Sequence, residues 1–200
     1  GPVKAQWSPL QDKILLNNYV IDANLREKTV ELGAIAKQKL TSLQWDPKIT
    51  DALYGLDAGG LYRLSYLLKT ARLVAAGNII NFLVTPEKIF TLENDAKEKT
   101  SYLAWRAAAD PDTRHRLLAR SPAKGDVIVP TNSERIAVVN ADKKTLLIVD
   151  PADSNKTLDL ENVAQAVWAN GGGRLIYSTG QAIYQVNFAG EQAPAAAENA

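Results

Sequence analysis

The chain has 200 residues, 46% of them apolar, and 23 basic against 22 acidic side chains for a formal charge of +1. That is apolar material for one full core or two small ones, and no charge excess marks the whole chain as a polyanion binder. It has no cysteine and one histidine, which excludes disulfides, thiolate metal sites, cysteine nucleophiles and multi-histidine metal centres.

No window approaches about 18 uninterrupted apolar residues, so no helical membrane span is expected. Gly1-Pro2 reads as the scar of a cleaved tag, with residues 1–7 a flexible lead and the natural start upstream. A removed signal peptide, membrane anchor or further domain is the expectation. With the missing cysteine it points to a periplasmic or cell-envelope protein of a bacterium, a cytoplasmic one being the alternative.

Ser8-Pro9-Leu10-Gln11 has the composition of a helix start: a capping serine, proline at the first helical position, and glutamine completing a capping box. Apolar residues follow at Leu10, Ile14, Leu15, Ile21, Leu25, Leu32, Ile35 and Leu40, a spacing nearer helix than strand. Trp45-Asp46-Pro47 stops that segment, and a second helix is expected to run to about Leu56. After a turn at Asp57-Ala58-Gly59-Gly60, Leu61–Ala76 reads as a third helix with Leu61, Leu64, Leu68 and Ala71 on one stripe, ended by Gly77. Residues 8–77 are thus expected to form a helical hairpin or three-helix array.

Over residues 78–125 the pattern predicts a β-hairpin and a helical insertion. Ile79–Val84 and Ile89–Leu92 flank the turn Thr85-Pro86-Glu87-Lys88. A helix capped by Asn94 or Asp95 then runs to Ala109, and a short one follows Asp110-Pro111 as far as Leu118. Residues 126–190 read as an antiparallel β region, with strands at Val127–Val129, Arg135–Val139, Thr145–Val149, Val163–Trp168, Arg174–Tyr177 and Ala182–Phe188. Residues 191–200 are low in complexity and are expected to be disordered. The fold class is α+β.

Three stretches share an outline of apolar strand, polar turn and apolar strand: FLVTPEKIFTL (Phe82–Leu92), IAVVNADKKTLLIVD (Ile136–Asp150) and LIYSTGQAIYQV (Leu175–Val186). The last two resemble the inner-strand hairpins of β-propeller blades. They carry no Trp-Asp blade signature, and two blades do not close a propeller. The expectation is therefore a single sheet covered by the helices.

The run Gly171–Gly173 has the look of a phosphate cradle. A P-loop, however, needs a following Lys-Ser or Lys-Thr and a helix, and here Arg174 and a strand follow. A dinucleotide fingerprint needs glycine where the chain has Ile176. The glycines read as a strand-to-strand turn, and Ser178-Thr179-Gly180 as the turn of the last hairpin.

A Ser-His-Asp relay would have to use His115, and no G-x-S-x-G elbow accompanies it. His115 reads instead as an exposed residue on a basic surface. Asp150, Asp153 and Asn155 do not meet the calcium-loop pattern and fit an Asp-Pro turn. Neither a metal nor a cofactor is expected.

Arg106, Arg114, Arg116, Arg120 and Lys124 face Asp110 and Asp112 in one segment, while the chain from Asp126 onward is net acidic. That asymmetry makes them candidates for a partner or anion-binding face. The chain is not basic enough, nor rich enough in nearby aromatics, for specific nucleic-acid binding. Among the tryptophans, Trp7 stands before the first helix and is the candidate for an exposed contact.

The function expected is a non-catalytic protein-interaction or assembly domain, with another protein of a membrane-associated assembly as partner and homo-oligomerisation left open. The alternatives are a small-ligand or anion sensor and a hydrolase using dispersed carboxylates.

Overall fold

The computed structural model describes residues 5–95, 100–121, 126–128, 135–140, 144–150, 153–169 and 173–188. Its architecture corrects the α+β expectation. The described chain is nearly all antiparallel sheet, and its one helix, α1 (Leu32–Ala36), has 5 residues.

The strands fall in chain order into five small sheets. The first holds β1 (Ala5–Trp7), β2 (Lys13–Leu16), β3 (Tyr19–Asp22) and β4 (Val30–Glu31). The second holds β5 (Ser42–Trp45), β6 (Ala52–Asp57), β7 (Gly60–Ser65) and β8 (Thr70–Ala76). The third holds β9 (Ile79–Val84), β10 (Lys88–Asp95), β11 (Thr100–Ala107) and β12 (Arg114–Ser121). The fourth holds β13 (Asp126–Ile128), β14 (Ile136–Asn140), β15 (Thr145–Asp150) and β16 (Asp153–Glu161). The fifth holds β17 (Gln165–Ala169), β18 (Arg174–Ser178) and β19 (Ile183–Asn187). Each is a simple meander in which consecutive strands are neighbours, the unit from which propeller blades are built. A single sheet under helices is therefore excluded.

The helical reading of residues 8–77 fails because turn chemistry cuts its apolar period into short alternating runs. Ser8 does cap, but it caps a hairpin loop: its Oγ accepts from the backbone N–H of Asp12 (3.2 Å) and Lys13 (3.0 Å). Asn17, at φ 53, makes a two-residue turn with Asn18 between β2 and β3. Lys13, Leu15, Val20 and Asp22 are then the buried positions of the two strands, alternating with less buried ones. Lys13 and Asp22 are register partners, so these two buried charges meet each other.

The expected third helix is the hairpin β7–β8. Its turn carries Leu67 and Leu68, both exposed, and Lys69 at φ 54. The expected helical insertion is likewise β-structure, β11 and β12. The residues around Pro111 that were to cap a helix lie between those two strands.

From β9 onward the strand expectations meet strands. Thr85-Pro86-Glu87-Lys88 is a turn closed by Thr85 N–H to the Lys88 carbonyl at 2.8 Å. Ala169 pairs with Arg174 across the glycine turn, of which residues 170–172 lie outside the described residues. Ser178-Thr179-Gly180 closes β18–β19, with Gly180 at φ 87 donating to Ser178 Oγ at 3.0 Å. Strand β16 went unread, and the tail 191–200 lies outside the described residues.

The chain divides into two compact units: residues 1–79, 84–90 and 105–115 in one, and 80–83, 91–104 and 116–200 in the other. The core of the first is Leu15, Val20, Leu32, Leu40, Trp45, Leu53, Leu64 and Tyr66, with the Trp45 and Tyr66 rings edge to face at 6.1 Å. The second unit has its own core of Ala137, Val139, Leu146, Ile148, Val163 and Leu175, against which Trp168 and Phe188 pack. Each large aliphatic side chain so buried contributes roughly 1.5–3 kcal/mol.

Candidate functional site

In a meander, alternate turns lie at the same end of the sheet. In the first unit the end with turns 8–12, 23–29, 46–51 and 66–69 carries the distinctive chemistry. The first two sheets are tied there by Gln6 Nε2 donating to the Leu43 carbonyl (3.1 Å) and Trp45 Nε1 donating to that of Gln6 (3.3 Å). Turns 85–87 and 108–113 join them. Gln44 exchanges two hydrogen bonds with the Val84 backbone, at 2.8 and 2.9 Å, and Ala108 N–H donates to the Glu87 carbonyl at 2.8 Å.

These turns enclose a cleft of about 240 Å³ lined by Asp46, Lys48, Ile49, Tyr54, Arg63, residues 84–87, Ala108 and Ala109. Asp46 is its buried anchor. Oδ1 accepts from the backbone N–H of Lys48 (2.9 Å) and Ile49 (3.0 Å), and Oδ2 accepts from Arg63 Nη2 at 3.0 Å. The guanidinium carbon of Arg63 lies 5.9 Å from the Tyr54 ring centroid. Burial pushes the Tyr54 phenol up; the Arg63 cation pulls the other way, while the charge of Asp46 and its hydrogen bond add to the rise. At the rim, Lys48 Nζ meets Glu87 Oε1 at 2.6 Å, with both side chains more than half exposed. The two carboxylates lining the cleft thus each hold a cation.

Six of the large apolar side chains that the described structure exposes belong to the same end: Trp7, Leu10, Leu25, Ile49, Leu67 and Leu68. Leu25 is 81% exposed and sits at φ 57. Its N–H donates to the Asp22 carbonyl at 3.0 Å, and the Arg26 and Glu27 N–H groups bind the Asp22 carboxylate, so the loop that exposes Leu25 is held from its base.

Below this end Lys13 Nζ bridges Asp22 (3.2 Å) and Glu27 (3.2 Å). Backbone N–H donation from Arg26 holds the Asp22 carboxyl below its ordinary 3.8 despite burial, with help from Lys13 and Glu27 N–H. Burial pushes the Lys13 ammonium down, but the hydrogen bonds and charges of Asp22 and Glu27 outweigh it and keep it above 10.5. The two shifts stabilise the fold in opposite pH directions. The Asp22 contribution is complete above pH 3.8 and is lost as pH falls through the depressed value; the Lys13 contribution is complete below pH 10.5 and is lost as pH rises through the raised one. Asp22→Asn is expected to lower the melting temperature throughout the plateau between those limits and to flatten the acid limb relative to the unmodified chain. Melting curves from pH 2 to 8, with buffer chosen to hold ionic strength constant, check this.

The sequence-derived site residues are dispersed. Trp7 is 58% exposed at the end of β1. Arg106 is buried on β11, which removes it from any exposed face. Arg114 and Arg116 are exposed on β12, the outermost strand of its sheet. Arg120 belongs to the same strand, and Lys124 lies outside the described residues. His115 is exposed and stacks on Trp105 at 4.2 Å, and Lys88 Nζ lies 4.7 Å from the Trp105 ring centroid. In the second unit, Glu93 is buried and accepts from Thr91 Oγ1 (2.6 Å) and the Tyr102 hydroxyl (2.8 Å), and Arg116 lies over the Tyr102 ring at 4.4 Å. Sequence reasoning missed Asp46, Tyr54 and Arg63. Asp46-Pro47 reads in the sequence as a boundary between two helices rather than as a strand-to-strand turn, and Arg63 comes from another strand, 17 residues on.

No protein-family model matches the chain, and no curated protein matches it in sequence. Solved structures match by fold. A chain of a nidogen/laminin complex superposes with a TM-score of 0.65 at 10% identity, over 94% of this chain and 76% of that one. The β-propeller domain of Cps50 (Swd1) from Myceliophteria thermophila gives 0.62 at 13% identity, over 88% and 67%. Hydrazine synthase from Kuenenia stuttgartiensis gives 0.64 at 11% identity, over 92% and 64%. The chain has a propeller-like fold, and spans roughly two thirds to three quarters of the length of these chains.

Proposed function

We propose that this is a non-catalytic protein-interaction domain whose docking surface is the turn-bearing end of the first unit. The observation that carries it is that Trp7, Leu10, Leu25, Ile49, Leu67 and Leu68 are all exposed at this end, which also bears the cleft that Ile49 lines. Exposed apolar groups rimmed by polar ones mark interaction sites. The fold is compatible with this reading and does not by itself select it, since a structure named as an enzyme, hydrazine synthase, has a similar fold. The commitment of Asp46 and Glu87 to cations further favours binding over acid–base chemistry. A bacterial envelope setting rests on the absent cysteine, and fractionation of the source cells tests it.

The docking surface is tested by placing a photo-crosslinking amino acid at Leu68 or Leu25 in cells, with Tyr19, at the opposite end of its sheet, as control. A discrete protein adduct from Leu68 and Leu25 but not Tyr19 is expected. No adduct, or equal adducts from all three positions, counts against the surface.

A further inference from the structure

The cleft has a surplus of donors. Asp46 spends one oxygen on two backbone N–H groups and the other on Arg63, so it has little left to offer a ligand. Arg63 has five N–H donors in a rigid fork, and among the described residues it meets Asp46 and the Tyr54 ring. Its side chain is 35% exposed and lines the cleft. A guanidinium anchored by a buried carboxylate is already oriented, so a second carboxylate can dock on it with little ordering cost. The volume of about 240 Å³ is below the usual range for small-molecule pockets and suits a single side chain. Val84, Pro86, Ala108 and Ala109 supply apolar walls for its stem.

We propose that this cleft receives one acidic side chain, Asp or Glu, of a partner polypeptide, held on Arg63. The proposal rests on the docking surface above, and implies that the partner flanks its acidic residue with an apolar side chain to meet Ile49.

The test uses the whole chain, isotope-labelled, and three capped peptides: acetyl-Leu-Glu-Leu-amide and its Gln and Lys counterparts. Shifts of the Arg63 Nε–H and of the Ile49 and Ala108 amides are read on titration. The Glu peptide is expected to bind at least about tenfold more tightly than the Gln peptide, the worth of one charge-assisted hydrogen bond. Arg63→Lys keeps a cation beside Asp46 but loses the fork, and is expected to reduce that preference at least about fivefold. Because Arg63→Lys acts on a packed pair, Ala109→Trp serves as an independent variant that fills the cleft and should abolish the shifts. Equal binding of Glu and Gln peptides, a preference for the Lys peptide, a preference that survives both variants, or no binding of any peptide overturns the proposal. The docking surface itself stands or falls on the crosslinking, so the two failures are distinguishable.

Discussion

Gly60→Ala is expected to destabilise the first unit by at least about 3 kcal/mol, placing it among the severe single substitutions. Gly60 pairs with Asp57 across the β6–β7 turn and with Ala76 on β8. Its φ is +147, and a Cβ there would stand 2.1 Å from the Ala75 carbonyl oxygen. That obstacle is backbone held in a ladder, so it cannot rotate away as a side-chain tip could. Relief requires β7 and β8 to part, and β7 carries core residues Leu61 and Leu64. Gly180→Ala separates the two causes: its φ is +87, but a Cβ would meet nothing within 4 Å, so it should cost only the backbone strain, roughly 1–2 kcal/mol. Urea denaturation followed by tryptophan fluorescence checks both. In a variant retaining Trp45 alone, the first-unit transition should shift for Gly60→Ala and stay in place for Gly180→Ala. Equal costs for the two substitutions would falsify the steric account.

Leu53→Ala is expected to cost about 2–5 kcal/mol. Leu53 is fully buried on β6 and stands between two register partners, Trp45 on β5 and Leu64 on β7. Three neighbouring strands therefore pack through this one side chain, and the β-ladders on both sides limit how far they can collapse into the space it leaves. The loss belongs at the upper part of that range. Leu68→Ala, an equal truncation at a 74% exposed turn position, should change stability by no more than about 0.5 kcal/mol. Its effect is expected in partner capture instead. Parallel denaturation of the two variants distinguishes a core leucine from a docking leucine; a large stability loss in Leu68→Ala would remove that residue from the docking surface.

How much of this was legible in the sequence depends on the length of the apolar runs. β14 and β15 are apolar throughout most of their length and bounded by polar turns, and their strand character was read correctly. β2 and β3 have 4 residues each, room for only two alternations before Asn17-Asn18 resets the phase. Concatenated, their apolar positions imitate a helical period. The buried Lys13 and Asp22 deepened the error, since polar residues at inward positions erase the alternation that an all-apolar face would show. A better signal was present: the central hairpin connections of the five sheets, at Asn17, at Ala58, between β10 and β11, between β14 and β15, and at Gly180, recur about every 40 residues. Two of these hairpins, β14–β15 and β18–β19, are members of the echo, whose remaining member is β9–β10; the first two were hidden inside the apparent helices, and β11 inside the expected helical insertion.

Local chemistry is what the sequence determined by itself. The turns at Asp57-Ala58-Gly59-Gly60, Thr85-Pro86-Glu87-Lys88 and Ser178-Thr179-Gly180 follow from residues adjacent in the chain, as does the rejection of Gly171–Gly173 as a phosphate loop. So do the exclusions that rest on having no cysteine and one histidine. What the tertiary structure decided is which residues meet. Asp46 finds Arg63 because β5 and β7 flank β6, and Gln44 reaches Val84 because residues 84–90 belong to the same compact unit as the second sheet. Whether Leu68 packs inward on a helix or stands in water on a turn depends on backbone pairing between strands, and that pairing is a property of contacts distant in sequence.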